Sequence, residues 1–447
     1  MMSVLVRFAP SPTGKLHVGN IRVALINFLL AGGRAENLIL RYDDTDFERS
    51  KQEHVDDIAR DLRWLGIEWG QTFYQSQRLD LYNAARDKLI AAGRLYPCYE
   101  TAEELEYMRN RQRMRGKPPI YDRSALSLTP EQIAAYQAEG RRPHWRFRLV
   151  DGDIRWTDLV RGDCTYDAAH LADPVVIRED GTYLYMLPSA IDDADMGITH
   201  VVRGEDHVTN TAVQIQMFEA LGAAVPAFAH LPLLVGADGK GLSKRLGSLS
   251  MGDLRGQGIE PLSICSLLAR LGSSEAIDLT DSMDALVAAF EITHFGRSTP
   301  RFDPAELERL NQKLLHHLPW EAAQARLHAL GCAQATEAFW EAVRGNLTVF
   351  ADVTEWYQVV YTVSGPLPGV EVDPAFRQAA LTCLPDGVWT QETWKQWTDA
   401  VKAATGAKGK DLFLPLRRLL TGHDHGPELK ALLPLIGRDR VLARLAG

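Results

Sequence analysis

The chain has 447 residues, of which 46% are hydrophobic and 24% charged, the balance of a globular protein with roughly two to four domains. Its formal net charge of −9 argues against a protein that coats DNA without regard to sequence. No apolar run reaches the roughly 18 residues that a membrane helix needs, and the start, MMSVLVRFAPSP, lacks the basic and apolar regions of a secretory signal.

Val4 to Ala9 form a short apolar strand, broken by PSPTG. IRVALINFLLAGG then reads as a helix with a glycine cap. Asn37 to Asp44 predict a second strand, nearly all apolar on entry, as in a sheet buried on both faces. KQEHVDDIARDLRWLG and DLYNAARDKLIAAG follow as amphipathic helices, and this alternation is that of an α/β parallel sheet. After Tyr96 the pattern changes. A basic helix runs to about Gly116, and its segment Arg109 to Lys117 carries five cations and no acid. That segment is either a solvated face or a contact for RNA. Thr129 to Gln132 start another helix, with Pro130 at its first position and Gln132 closing a capping box. HWRFRLV, DIRWTDLV and VVIRED read as strands, giving an α+β insertion. The α/β alternation resumes from Thr182, and the glycine-rich loop GADGKGLSKRLGS follows. From about Pro304 onward every signal is helical.

Two segments carry chemistry together. PSPTGKLHVGN lies where a strand turns into a helix, the place where a parallel sheet offers free N–H groups to phosphate. Gly14 and Gly19 allow close backbone approach, and Thr13 and His17 can donate to phosphate oxygens. The alternative is a plain strand–helix connection with His17 as its cap. GKGLSKRLGS supplies Lys240, Ser243, Lys244 and Arg245 on a loop able to close over a triphosphate and neutralise departing pyrophosphate, or else forms an exposed basic hairpin. G-x-S-x-G, H-E-x-x-H and Walker A motifs are absent. Displacement at phosphorus needs mainly positioning and charge stabilisation, so their absence fits attack by a carboxylate substrate. RYDDTD, Arg41 to Asp46, places three acids past a strand end, for an ammonium group, a ribose or Mg2+, or as a helix-capping turn. Arg7 and Arg203 sit on predicted strands, where an arginine faces a carboxylate ligand or pairs with Glu205 or Asp206. Five scattered cysteines, Cys98, Cys164, Cys265, Cys332 and Cys383, form no C-x-x-C pair and point to reduced thiols in the cytoplasm.

With these residues assembled, the chain resembles the glutamyl-tRNA synthetases, bacterial-type class I aminoacyl-tRNA synthetases, over nearly its whole length. RFAPSPTGKLHVGN is similar to the family's HIGH-type signature and GLSKR to its KMSKS-type loop. VVRGEDH, LNQKLL and KDLFLPLRRLLTGHDHGPEL also resemble the family, the last its helical anticodon-binding domain. The resemblance implies an α/β, Rossmann-type catalytic domain in two halves, 1–95 and 181–240, around an acceptor-stem-binding insertion at 96–180. A loop and stem-contact region at 241–301 and an all-helical anticodon-binding domain at 302–447 complete the expected order. It implies that glutamate attacks the α-phosphorus of ATP, accompanied by Mg2+, and that the glutamyl group then passes to tRNA(Glu), or also or instead to tRNA(Gln). A non-catalytic tRNA-binding paralogue is the alternative. The synthetase reading implies a monomer in the cytoplasm.

By the same resemblance, Arg7, Ala9, Ser11, Asp43, Tyr185 and Arg203 hold glutamate, Arg7 pairing its side-chain carboxylate. Pro10, Ser11, Gly14, His17, Gly19, Asn20, Gly241, Leu242, Ser243, Lys244 and Arg245 bind ATP. His17, Lys244 and Thr13 act on the phosphates. Four positions depart from the family pattern. Asp43 stands where a glutamate is usual, Gly241 where the loop's first lysine is usual, and Ser189 where asparagine is frequent. Some members bind zinc through a cysteine cluster in the insertion. Here Cys98 stands with Glu100 and the YDRS stretch, and the expectation is no zinc.

Overall fold

The computed structural model describes residues 4–116, 118–242 and 250–446, so Ser243, Lys244 and Arg245 lie outside the described residues. The chain divides into two compact units, one of Met1–Arg255 with Ile264–Asp303, the other of Gly256–Ser263 with Pro304–Gly447.

The first unit is built on parallel strands. β1 (Val6–Phe8) leads to α1 (Val18–Leu30), β2 (Leu38–Tyr42), α2 (Gln52–Trp64), β3 (Gln71–Tyr74) and α3 (Leu79–Ala91), and β1, β2 and β3 pair in that order, all parallel. Every residue of β2 is buried, as its apolar run predicts, including Arg41. α1 ends where Gly32 and Gly33 both take positive φ, at 72° and 69°, the left-handed geometry that releases a helix without steric cost.

β4 (Leu95–Cys98), α4 (Ala102–Met114), α5 (Pro130–Ala138), β5 (His144–Phe147), β6 (Asp153–Asp158), β7 (Gly162–Asp167) and β8 (Val175–Ile177) follow. β4, β5 and β8 form a small antiparallel sheet. α5 starts at Thr129 with Pro130 at its first turn and Gln132 closing the box. α6 (Met186–Asp195), β9 (His200–Gly204), α7 (Val208–Leu221) and β10 (Ala227–Leu231) return to the parallel pattern. β6 lies between residues 153 and 158, yet it pairs with β10, so one edge of the insertion segment is welded to the sheet that carries the site. Leu5 accepts main-chain bonds from Thr199 and His200, which draws β1 alongside β9. β1 thus has β2 and β9 as neighbours, and a cleft opens at the carboxyl ends of such neighbouring strands. β11 (Val235–Gly236), α8 (Met251–Gly256), α9 (Pro261–Arg270), α10 (Met283–Ala289) and β12 (Arg301–Phe302) complete this part of the chain.

In the second unit, α11 (Pro304–His317), α12 (Trp320–Ala329), α13 (Glu337–Val343), α14 (Val353–Tyr357), α15 (Pro374–Thr382), α16 (Gln391–Thr405), α17 (Lys410–Thr421), α18 (Leu429–Ile436) and α19 (Arg438–Ala446) pack around one core that includes Trp340, Trp397, Leu416 and Leu433. No strand occurs there among the described residues. None of the described helices is long and apolar enough to cross a membrane.

Candidate active site

The segment between β1 and α1 forms one wall of a cleft of about 750 Å³. His17 is the N-cap of α1. Its Nδ1 accepts the Gly19 amide at 3.1 Å, and the Asn20 side-chain oxygen accepts the His17 amide at 3.4 Å. This closes a capping box with an imidazole in place of the usual hydroxyl. Burial pushes the His17 pKa down, so the ring is neutral near pH 7. With Nδ1 accepting, the proton sits on Nε2, which makes that atom a donor. A methyl group added to Gly14 would meet nothing within 4 Å, whereas one on Gly19 would lie 2.9 Å from His17 Cε1. The two glycines therefore serve different ends: Gly14 leaves open space, and Gly19 makes room for the imidazole. Ser250 pairs with His17 in a short antiparallel bridge and Gly241 with Val235, which fixes the described residues on either side of the 243–249 segment.

Arg7, Asp43, Tyr185 and Arg203 also line the cleft. Arg7 donates through Nε to both oxygens of Asp193, at 3.1 and 3.2 Å. Asp193 also accepts from Arg41 at 2.7 Å, and Arg41 donates to Asp43 at 2.7 Å and to Ser189 Oγ at 3.1 Å. Arg7 and Arg41 hold the Asp193 carboxyl below its usual range, against the opposing pull of burial, which is the larger single effect. Among the described residues Asp193 engages Arg7 through Nε, and no hydrogen bond is made by its terminal nitrogens, the edge that suits a bidentate partner.

Arg203 differs. It is 6% exposed, and its neighbours are the Tyr185 hydroxyl at 3.2 Å, Thr211 Oγ1 at 2.6 Å, His230 Nε2 at 3.3 Å and the His207 carbonyl at 3.5 Å. Among the described residues it forms no ion pair with a carboxylate, and burial pushes its pKa down. Pairing with Glu205 or Asp206 does not occur: Glu205 pairs with Arg161 at 2.7 Å instead. Of the RYDDTD acids, Asp44 accepts from Ser76 and Asp46 from Arg49, and only Asp43 lines the cleft.

Ala9, Pro10, Ser11, Thr13, Gly14, Gly19, Asn20, Gly241 and Leu242 also line the cleft. The structure thus gathers the described candidate residues in one place, from segments more than 200 positions apart. Sequence reasoning missed Asp193 and the part played by Arg41, which together with Ser189 set the polar floor behind Arg7 and Asp43. It also missed Arg22, which donates to the carbonyls of Pro232 at 2.6 Å and Leu271 at 2.9 Å and has a pKa lowered to about 10 by burial. An arginine inside a fully apolar strand such as β2 was the available signal for such a network, because a buried guanidinium needs partners.

In the insertion, Cys98 and His144 are register neighbours on β4 and β5, and with Glu100 their ligand atoms lie within 4.8 Å of one another. His144 is a third donor that the sequence reading did not include. Glu100 already accepts from the Tyr121 hydroxyl at 2.5 Å and from Ser124 at 3.3 Å, while its second oxygen and His144 Nε2 are buried without a partner.

Comparison with known proteins agrees with this architecture. Residues 3–309 match the family described as tRNA synthetases class I (E and Q), catalytic domain, and residues 309–447 match an anticodon binding domain. The chain is 57% identical over 447 residues to the glutamate–tRNA ligase 2 of Methylobacterium sp. (strain 4-46), covering 100% of this chain and 99% of that protein. It is 55% identical to the glutamate–tRNA ligase of Azospirillum brasilense, again over 100% of this chain and 99% of the relative. A crystal structure of a glutamate tRNA ligase from Elizabethkingia meningosepticum superposes with a TM-score of 0.86 at 25% identity, covering 99% of this chain and 98% of that one. A parallel-strand unit with its cleft at the strand ends, followed by a helical unit, is what these relationships require, and the chain belongs to the glutamate–tRNA ligase family of class I aminoacyl-tRNA synthetases.

Proposed function

We propose that the cleft activates glutamate with ATP and passes it to the 3′ end of tRNA(Glu), with the residues gathered there in the roles that follow. The observation that carries this reading is Arg203, a buried guanidinium at the edge of the cleft whose hydrogen-bond acceptors among the described residues are all uncharged. Such a group is poised for an anionic ligand. Arg7, through its terminal nitrogens, takes the side-chain carboxylate of glutamate, and Tyr185 and Arg203 complete the pocket. Ala9 and Ser11 line it, and Asp43 meets the substrate ammonium group. The substrate's α-carboxylate attacks the α-phosphorus of MgATP, the bond to the bridging oxygen breaks, and pyrophosphate leaves. His17 donates from Nε2 to a phosphate oxygen. Thr13 and the α1 N-terminus add donors, and Lys244 neutralises the departing charge. Pro10, Gly14, Gly19, Asn20, Gly241 and Leu242, with Ser243 and Arg245, shape the ATP site. A terminal adenosine hydroxyl of tRNA then attacks the glutamyl carbonyl and releases AMP.

Residues 96–180 bind the acceptor stem, with the basic end of α4 at Arg109, Arg111 and Arg113 toward RNA, and residues 302–447 bind the anticodon. The protein works as a monomer in the cytoplasm, the compartment that its five free thiols favour. Zinc is not required. Structural zinc sites close with four ligands, and among the described residues the insertion offers three, Cys98, Glu100 and His144. The non-catalytic alternative is disfavoured by Thr13 and His17, which remain in the cleft with His17 in its donor tautomer. Amino-acid-dependent exchange of pyrophosphate into ATP, run with tRNA present, tests the reading. Glutamate is expected to support exchange and glutamine and aspartate to fail; exchange that is equal with glutamine would remove Arg7 and Arg203 as carboxylate clamps.

A further inference from the structure

Behind Arg203 lies a run of buried polar groups that the reaction does not touch. Arg203 donates to Thr211 Oγ1 at 2.6 Å, Thr211 Oγ1 lies 2.8 Å from His230 Nε2, and His230 Nδ1 lies 2.5 Å from Asp158 Oδ2. His230 and Thr211 are fully buried and Asp158 is 2% exposed. Asp158 is the last residue of β6 and His230 belongs to β10, so the run joins the β6–β7 hairpin to the cleft.

The proton positions follow from the partners. A carboxylate only accepts, so His230 Nδ1 carries a proton and Nε2 is the lone-pair atom of the neutral ring. A second proton on Nε2 would point at the Arg203 guanidinium. Burial works the same way, pushing the His230 pKa down. Nε2 therefore accepts from the Thr211 hydroxyl, and Arg203 Nε reaches the same atom at 3.3 Å. Every donor in the run points from Arg203 toward Asp158. The negative charge that offsets Arg203 is thus held one imidazole away, which orients the guanidinium without setting a carboxylate against it.

We infer that His230 and Asp158 are positioning residues for glutamate, setting the aim of Arg203 through Thr211. This rests on Arg203 meeting the substrate, as proposed above.

Asp158 offers a test that changes one atom. Its Oδ1 accepts the amides of Val160 at 3.0 Å, Arg161 at 3.0 Å and His230 at 3.1 Å. In Asp158→Asn those three donors pin the amide oxygen, and the new NH2 faces His230 Nδ1. The imidazole must then carry its proton on Nε2, which turns an acceptor into a donor aimed at Thr211 and Arg203. The experiment is glutamate-dependent pyrophosphate exchange by the full chain with tRNA, measuring KM separately for glutamate and ATP. Asp158→Asn and His230→Asn should raise KM for glutamate about ten- to a hundredfold and leave KM for ATP within about twofold. His230→Gln, whose amide oxygen replaces the Nε2 lone pair, should recover most of the loss. Thr211→Val, which keeps the side-chain shape, should show the same split and serves if either Asn variant fails to fold. An unchanged KM for glutamate, or equal losses for both substrates, in the folded variants would overturn the inference. Arg203→Ala separates the two levels. If it leaves KM for glutamate unchanged, the underlying reading fails; if it raises that KM while Thr211→Val and the folded Asn variants do not, only the positioning role fails.

Discussion

His17 accepts the Gly19 amide through Nδ1, and the space for its ring exists because residue 19 has no Cβ: a methyl there would sit 2.9 Å from Cε1. Gly19→Ala should displace the imidazole, losing both the helix cap, about 1 kcal/mol of stability, and a phosphate donor. Pyrophosphate exchange should fall by about 10²-fold or more. His17→Asn separates the two effects. Asparagine caps a helix well but lacks the reach of Nε2, so its melting midpoint should stay near that of the parent while exchange falls by a similar factor. Parent-like exchange in His17→Asn would reduce His17 to a cap.

Asp193 is the shared anion between Arg7 and Arg41, all three nearly excluded from solvent. Asp193→Ala leaves two buried guanidiniums without that partner, and removing one member of a buried ion pair costs about 3–5 kcal/mol. Urea denaturation should show a loss of this order. A loss below about 1 kcal/mol would mean that the network is open to water and resembles a surface pair.

Five histidines of the first unit, His17, His144, His200, His207 and His230, have pKa values lowered by burial. The unfolded chain then takes up protons at higher pH than the folded one. Stability should fall as pH drops below about 6.5, the ordinary histidine value, and level off once the folded-state values are passed. The buried carboxylates with lowered pKa, Asp158 and Asp193, contribute stability that is present above the ordinary aspartate value and is lost only at lower pH. Asp43 and Asp61, whose pKa values burial raises, work in the opposite direction on acidification. The histidine part is therefore read from variants: replacing His200, which lies outside the cleft, by Gln should flatten the loss of midpoint between about pH 7.5 and 5, and an unchanged slope would contradict the burial assigned to that ring.

Metal analysis of the purified protein should find no stoichiometric zinc. Zinc at one per chain, lost in Cys98→Ser and His144→Ala, would place it on the trio in the insertion.

The local features were legible where one short segment contains its own explanation. The strand–turn–helix at Arg7 to Asn20 carries its glycines, its cap and its donor within fourteen positions, and α5 declares its box in TPEQ. What escaped the sequence is long-range pairing. Asp193 is separated from Arg7 by 186 positions and His230 from Asp158 by 72. An acid in SAIDDADMG reads as a solvated helix face until α6 is seen to bury every residue from Leu187 to Asp193. β3 escaped because QTFY is short and its first residues are exposed. The affiliation of β6 with β10 escaped because a strand's sequence does not name its neighbour.

The most direct test of the central claim is charging of purified tRNA(Glu) and tRNA(Gln) with labelled glutamate by the full chain. The account predicts glutamyl-tRNA(Glu), formed only with ATP and lost in Arg203→Ala and Lys244→Ala; label on tRNA(Gln) as well would mark a broader tRNA choice at the same site. Failure to charge either tRNA, with folded protein and no glutamate-dependent exchange, would contradict it.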